Sequence, residues 1–408
     1  MPLRLSSRGV IGLLAALASF TPLSIDTYLP SLPVIAQQLN SDAAQVQLTI
    51  GLFLAGLCTG MLIYGPLSDR VGRRRPLLAG LVLYIIASLG CMLAPSVTAL
   101  MGWRFLQAVG GAAALVLART IARDVFDLGR AAQVLSLMHV ISMVATLVAP
   151  MTGNWLAQWL GWRSVFAVLA LMGAGCLLLS LWRLEETHPQ ALRSPSLWHA
   201  YRAYASVLRE PRALGFIACM GCTFGGLFVF ITASPFVFIE HFQLAPQTYT
   251  VLFALNIAGV IVATWCNARW VTRLGPPRVL RATTAVAAAA GVALAATSLA
   301  GWAVPGAIVP CVVVYIGMTG VIGANCTASL MALFPRQAGA AVGLAVALQF
   351  ACGSLFSAWV GYLNDGTELP MCVLIGVAGL GCLASYRWAS SEAAGAGTAE
   401  RGAKGSRL

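Results

Sequence analysis

The chain has 408 residues, of which 59% are hydrophobic and only 9% are charged. A soluble domain carries roughly 25% charged residues, so this composition excludes a soluble globular protein. The formal net charge of +12 would suit a nucleic-acid partner. The positive residues are spread over separate loops rather than gathered on one folded face, which excludes nucleic acid as a partner.

Long apolar segments recur along the whole chain. Each is close to the roughly 20 residues that an α-helix needs to cross a bilayer. The pattern predicts an all-α membrane protein with twelve transmembrane helices in two pseudo-symmetric six-helix bundles. The predicted spans are 9–29, 43–64, 77–94, 97–118, 132–153, 163–182, 213–238, 247–268, 280–300, 304–333, 338–361 and 369–388.

The polar segment 183–212 is predicted to be a cytoplasmic linker between the two bundles. The N-terminal bundle is then 1–182 and the C-terminal bundle 213–390. The tail 391–408 is rich in Ala, Gly and charged residues, a composition that predicts a disordered cytoplasmic segment.

A weak internal repeat supports two related halves. Arg70-Val71-Gly72 follows the second predicted span, and Arg273-Leu274-Gly275 follows the eighth. In each case another arginine comes three residues after the glycine. Paired six-span halves with the substrate site between them are the architecture of one large group of transporters.

Arginine is concentrated in alternate loops, and the loops between them are acidic. The arginine-rich segments are 70–75, 119–130, 183–212 and 269–281, and the other loops carry Asp42, Glu240, Asp365, Glu368 and Arg163. This asymmetry is the positive-inside rule, which predicts a multi-pass protein of the bacterial inner membrane with both termini in the cytoplasm.

The loop 65–75 predicts a gate on the cytoplasmic side. Gly72 permits a tight turn, Asp69 can accept hydrogen bonds at a helix end, and arginines such as Arg70 and Arg73 can bind acidic or backbone partners. We interpret Gly65, Asp69, Arg70, Gly72 and Arg73 as a gating motif; alternatively, the arginines only enforce topology.

Asp26 is the one acidic residue within the apolar bulk of the sequence. An ionisable group at bilayer depth costs at least ~2.5 kcal/mol, so it marks an ion, proton or substrate pathway by default. Helical spacing places Asp26 on a face of small and polar residues that includes Gly12 and Ser19, and such faces point to neighbours or cavities. The alternative is a structural, hydrogen-bonded aspartate.

Arg104 is the basic residue that lies well within a predicted span. It shares a small and polar helix face with Gln107 and Gly111, at about 10 Å depth by the helical rise. A buried acid and a buried base at similar depth are natural partners. We therefore predict that Asp26 and Arg104 couple proton movement; a structural Arg104 that satisfies backbone carbonyls is the alternative.

Two further groups of residues complete the predicted site. Pro150 and Gly153 are predicted to form a hinge, since proline removes one helix hydrogen bond. The predicted substrate-binding residues are Tyr28, Gln107, Phe228, Asn256 and Gln349. Buried Asn and Gln also join helices to one another, and that alternative applies to Asn256, Gln349 and Asn325.

Several motifs resemble those of a known family. The loop 65–75 resembles the signature G-x-L-[AS]-D-[RK]-x-G-R-[RK]-x of the major facilitator superfamily, and the segment 145–154 imperfectly resembles its antiporter motif. The run 22–33, with Asp26, resembles the bicyclomycin and chloramphenicol resistance (Bcr/CflA) subfamily of twelve-span drug:proton antiporters. In that family the arginine that matches Arg104 is linked to proton transfer.

The resemblance implies proton-coupled efflux of small drugs or antibiotics, with a small metabolite, amino-acid derivative or peptide as the alternative cargo. It implies protons as the coupling ion without another cofactor, and we expect a monomer. Because neither a nucleophile with a base nor a metal-ligand spacing stands out among the histidines and cysteines, the sequence predicts no enzyme and no metal site.

Overall fold

The computed structural model describes residues 7–189, 191 and 196–405, and it describes side chains at these positions except at 7, 8, 128, 199 and 393–405. Part of the predicted linker, at 190 and 192–195, therefore lies outside the described residues. So does the end of the predicted tail, at 406–408.

Twelve helices of the described chain are long and apolar enough to cross a membrane. The described residues form no strand, so the predicted all-α class is confirmed. The helices of the first half are α1 (Ser7–Ala18), α2 (Phe20–Asp26), α3 (Leu32–Gln38), α4 (Ala43–Val71), α5 (Arg74–Met92), α6 (Val97–Val125), α7 (Leu128–Leu160) and α8 (Arg163–Arg183). Those that follow are α9 (Leu197–Leu208), α10 (Pro211–Pro235), α11 (Pro246–Leu274), α12 (Pro276–Leu299), α13 (Pro305–Leu333), α14 (Ala338–Tyr362) and α15 (Leu369–Gly405).

The first span is interrupted, and it is longer than predicted. It runs over Gly9–Gln38 as α1, α2, a 3-10 turn at Leu29–Ser31 and α3. The prediction that it ends at residue 29 was wrong because Pro30 and Pro33 do not stop it. Each lies in the first turn of a new helical segment. A backbone N–H at that position would have no acceptor within the helix, so proline removes no helical hydrogen bond there.

Other boundaries also differ from the prediction. The π-helix Phe236–His241 extends α10 beyond Pro235, and α9 forms within the predicted linker. The last helix is assigned to Gly405, through most of the segment for which the composition predicts disorder.

Small residues allow the helices of the first half to approach closely. A Cβ on Gly56 of α4 would lie 2.4 Å from the carbonyl oxygen of Phe105 on α6, and one on Gly60 would lie 2.5 Å from the Cβ of Ala112. Membrane helices associate through such close packing, because in lipid there is no hydrophobic driving force between them.

The same helix pairs recur in the two halves, as the internal repeat predicts. The third span, α5, packs on α6 and α8, and the ninth span, α12, packs on α13 and α15. Glycines mark both contacts: Gly173 of α8 lies against Tyr84, and Gly379 of α15 lies against the carbonyl oxygen of Ala287.

The chain forms two compact units. The first comprises Met1–His199, Ile231–Ile257 and Ser354–Thr367, and the second comprises Ala200–Phe230, Ala258–Gly353 and Glu368–Leu408. The domain boundaries at 182 and 213 stay predictions.

The two repeated loops contain the same strained turn. Gly72 has φ 97° and ψ 169°, and its N–H donates to the Ser68 carbonyl that ends α4. Gly275 has φ 76° and ψ 156°, and its N–H donates to the carbonyl of Val271. Only glycine adopts this backbone region readily, which explains the glycine at the same place in both halves.

Replacing Gly72 or Gly275 with alanine should destabilise the protein, because each turn would then store about 1–3 kcal/mol of backbone strain. The measurement is the unfolding temperature of the purified protein in detergent. Gly175→Ala is the control, since this helical glycine of α8 has open space around a Cβ. Equal unfolding temperatures for all three variants and the parent would contradict the turn argument.

Candidate functional site

Asp26 is the last residue of α2 and is only 4% exposed. Its carboxyl group interacts with the hydroxyl of Thr146 on α7. That hydroxyl also lies 3.0 Å from the carbonyl oxygen of Ser142. A hydroxyl has a single proton to donate. An ionised Asp26 competes for that proton, whereas a protonated Asp26 can itself donate to Thr146.

Pro150 changes the hydrogen bonding of α7 at the point where the helix contacts Asp26. Pro150 is buried within α7 and has no N–H to donate to the carbonyl of Thr146, one turn earlier. The Thr146 backbone therefore keeps free hydrogen-bonding capacity beside Asp26. Thr146 was not among the predicted site residues, although a threonine one turn before a membrane proline was the available signal.

The predicted hinge residue Gly153 lies directly against the turn after Asp26. A Cβ at this position would lie 2.0 Å from the carbonyl oxygen of Thr27 and 2.8 Å from its Cα. The glycine thus permits a backbone contact between α7 and the interrupted first span. Whether α7 also bends at Pro150 and Gly153 during a transport cycle stays a prediction.

Gly153→Ala should reduce transport roughly tenfold to hundredfold, because a displacement of about 1 Å at a functional group has that cost. The clash is with backbone, so the Thr27 turn has to shift and move Asp26 with it. The measurement is the initial rate of substrate movement in vesicles. Gly12→Ala, in α1, is the control because nothing lies within 4 Å of its Cβ position. Unchanged rates for Gly153→Ala would exclude this role of the contact.

Arg104 is fully buried on α6 and is held by aromatic rings. Its guanidinium carbon lies 4.1 Å from the ring centre of Phe53, 4.6 Å from that of Tyr28 and 5.8 Å from that of Phe166. A desolvated cation over such rings is stabilised by about 2 kcal/mol or more. In the described structure its Nε and Nη2 atoms have no hydrogen-bond partner.

The Nη1 atom of Arg104 joins α6 to the first span. It donates to the carbonyl oxygen of Ser24 at 3.0 Å and to Oε1 of Gln107 at 2.7 Å. Gln107 in turn donates to the hydroxyl of Ser88 at 2.8 Å. The Ser24 hydroxyl lies 2.6 Å from that of Tyr84. This network positions α2, the helix that ends in Asp26.

Within the described residues, Asp26 and Arg104 form no ion pair. The carboxyl faces Thr146, whereas the guanidinium binds the backbone of Ser24, two residues earlier. The contact between Arg104 and a backbone carbonyl is the one expected from the alternative interpretation, in which Arg104 is structural and satisfies backbone carbonyls. Proton coupling by the two residues stays a prediction. In this conformation, any effect of Arg104 on Asp26 passes through α2.

The structure places the five predicted substrate residues in different surroundings. Tyr28 and Gln107 are buried around Arg104, and the Tyr28 hydroxyl lies 3.0 Å from that of Thr49. Asn256 donates to the carbonyl of Leu252 at 2.9 Å, and its Oδ1 has no partner in the described structure. The substrate role of these three residues stays a prediction.

In the second compact unit, an aromatic cluster forms around Phe224. Its ring centre lies 4.9 Å from that of Phe228 and 5.0 Å from that of Phe350. Gln349, the residue before Phe350, is half-buried. Asn325 instead donates to Oδ1 of Asn267 at 2.9 Å and joins α13 to α11, as expected of an amide between helices.

The gating motif contains a dense set of ionic contacts around Arg73, which is only 6% exposed. Its Nη1 donates to Asp69 at 2.5 Å, and its Nε donates to Asp124 at the end of α6 at 3.0 Å. The backbone N–H groups of Arg73 and Arg74 both donate to the carboxylate of Glu186. The turn between α4 and α5 is thus joined to the end of α6 and to the segment that follows α8.

Arg73→Ala should lower the free energy of unfolding by about 1–3 kcal/mol, since it leaves partly buried acceptors unpaired. Unfolding temperature and transport rate are the measurements. Arg75→Ala is the matched control, because Arg75 is an exposed arginine of the same loop. If both variants behave alike, the arginines serve topology only.

The described cysteines are free thiols. The Sγ of Cys219 on α10 lies 3.4 Å from that of Cys382 on α15, a hydrogen-bond contact between two thiols. No group of three or more potential ligands that could hold a metal ion occurs among the described residues.

Among the described residues, twelve apolar helices, repeated helix pairs, a buried acid and a buried base are typical of a polytopic membrane transporter. The family model described as "Major Facilitator Superfamily" matches residues 13–358. The chain belongs to this superfamily, so the predicted family and fold are confirmed. It is a multi-pass transporter of small molecules and not an enzyme.

Relatives of known sequence agree with this assignment. The uncharacterized MFS-type transporter YdgK of Bacillus subtilis is 35% identical over 94% of this chain and 95% of its own length. The bicyclomycin resistance protein homolog of Haemophilus influenzae is 31% identical over 89% and 93%. The multidrug resistance protein MdtL of Shigella dysenteriae is 34% identical over 69% and 71%.

Solved structures share the fold at low identity. A D-xylose-proton symporter superposes with a TM-score of 0.73 at 16% identity, over 94% of this chain and 96% of that one. The nucleoside transporter NupG superposes with a TM-score of 0.72 at 14% identity, over 93% and 98%.

Proposed function

We propose that this protein exports small drugs or antibiotics across the bacterial inner membrane in exchange for protons, by alternating access. The observation that carries the proposal is the buried carboxyl of Asp26 at the break of the first span, in a chain whose relatives include a bicyclomycin resistance protein homolog and a multidrug resistance protein.

Asp26 is the proton carrier in this proposal. When it binds a proton, it can donate to Thr146; when it loses the proton, it becomes an acceptor for the same hydroxyl. This reversal acts on the contact between α2 and α7, beside the Gly153 approach. A change in protonation thereby favours one arrangement of the two helices over the other.

Arg104 contributes from a fixed position. Its charge is kept in place by aromatic rings and by the carbonyl of Ser24. An uncompensated buried cation stabilises a nearby negative charge, so it supports release of the proton from Asp26 when the helices rearrange. Tyr28, Gln107, Phe228, Asn256 and Gln349 supply cargo contacts, and the Arg73 contacts serve as the cytoplasmic gate.

Protons are the coupling ion, and no other cofactor is invoked. The arginine-rich loops face the cytoplasm together with both termini, and the working unit is the monomer. A reporter fused to the C-terminus tests this orientation independently of transport: alkaline phosphatase should stay inactive there, and a cytoplasmic fluorescent protein should fluoresce.

Asp26→Asn should abolish exchange, because an amide keeps the shape of the side chain but carries no exchangeable charge. In proteoliposomes with an imposed pH gradient, drug movement and discharge of the gradient should both fall to the level of empty vesicles. In a pump-deficient bacterium, the variant should restore drug accumulation.

Asp365→Asn, which removes an exposed carboxylate from the loop before α15, is the control and should retain exchange. A folded Asp26→Asn protein that still exports drug and still discharges the gradient would refute the proposed role. If drug movement by the parent protein does not depend on the pH gradient, proton coupling is refuted altogether.

A further inference from the structure

The helix within the linker, α9, carries an exposed face that the transport site does not use. Trp198 is 63% exposed, and Tyr201, Arg202 and Leu208 are exposed with it. Arg209, directly after the helix, is exposed as well. At 3.6 residues per turn these side chains fall within about 120° of the helix circumference. They form one continuous face.

The opposite side of α9 is attached to the protein. Val207 lies about 180° from Trp198 around the helix and is 0% exposed. The Ser206 hydroxyl, on the flank, donates to Oε1 of Gln337 at 3.1 Å, within the same compact unit. The orientation of the helix is therefore set by these contacts, and they leave the aromatic and basic face outward.

The exposed face carries the side-chain types that are found on helices at a membrane surface. Trp and Tyr prefer the interface because one end of each side chain is apolar and the other polar. Arginine extends its charged group towards headgroups while its carbon chain stays on apolar material. Helix α10 begins at Pro211, so the chain after Leu208 can separate α9 from the adjacent span by only about 10 Å.

We propose that α9 is an interfacial helix that binds anionic phospholipids of the inner leaflet. Arg202 and Arg209 bind the headgroup phosphates, and Trp198, Tyr201 and Leu208 enter the boundary between headgroups and acyl chains. The proposal rests on the cytoplasmic orientation of the linker given above, and it requires neither drug export nor proton coupling.

The test compares the full-length protein in nanodiscs of phosphatidylcholine with the same protein in nanodiscs that also contain phosphatidylglycerol. Hydrogen exchange of peptides that cover 197–209 should be slower in the anionic discs. The double variant Arg202→Gln/Arg209→Gln should lose this difference and bind anionic lipid roughly thirtyfold more weakly, whereas Arg202→Lys/Arg209→Lys should keep it.

Arg387→Gln is the matched control, since it removes an exposed arginine from α15 and should leave the lipid effect on α9 unchanged. Asp26→Asn should also keep the effect, which separates this proposal from the transport mechanism. Equal exchange in both lipids, or a lipid effect that survives the glutamine variant, would overturn the proposal. Protection that appears in detergent and grows with protein concentration would also overturn it, in favour of a second copy of the chain.

Discussion

The backbone contact between Gly153 and Thr27 is the constraint on which the arrangement around Asp26 depends. It brings α7 against the break in the first span without an intervening side chain. Because Pro150 leaves the Thr146 carbonyl without its helical donor, this part of α7 is polar at the point where it meets Asp26. An acid can remain in the bilayer region only where protein groups replace water in this way.

The buried arginine makes contacts of a different kind from those of the aspartate. Arg104 is surrounded by aromatic rings and bound to the backbone of α2, so it holds the first span against α6 while retaining an uncompensated charge. Truncating one member of such a network leaves the others unsatisfied, and the network therefore behaves as a unit. Tyr84, which contacts Ser24, belongs to this unit although nothing in its sequence context selects it.

Much of the architecture follows from local sequence. Apolar length predicts the spans, arginine placement predicts their orientation, and the repeated Arg-x-Gly turn predicts two related halves whose glycines adopt the same backbone region. The first span is the exception. It continues past the predicted end at residue 29, because Pro30 and Pro33 each lie in the first turn of a new helical segment, where proline is tolerated.

The sequence by itself determined the membrane class, the family and the identity of the residues with unusual chemistry, because a charge in an apolar span is conspicuous wherever the chain folds. Only the tertiary structure decided their partners. Asp26 faces Thr146 rather than Arg104, Gln107 binds Arg104 and Ser88, and Arg73 joins α4 to α6. Such pairs depend on helix rotation and crossing distance, and these are set by glycine contacts between segments far apart in the chain.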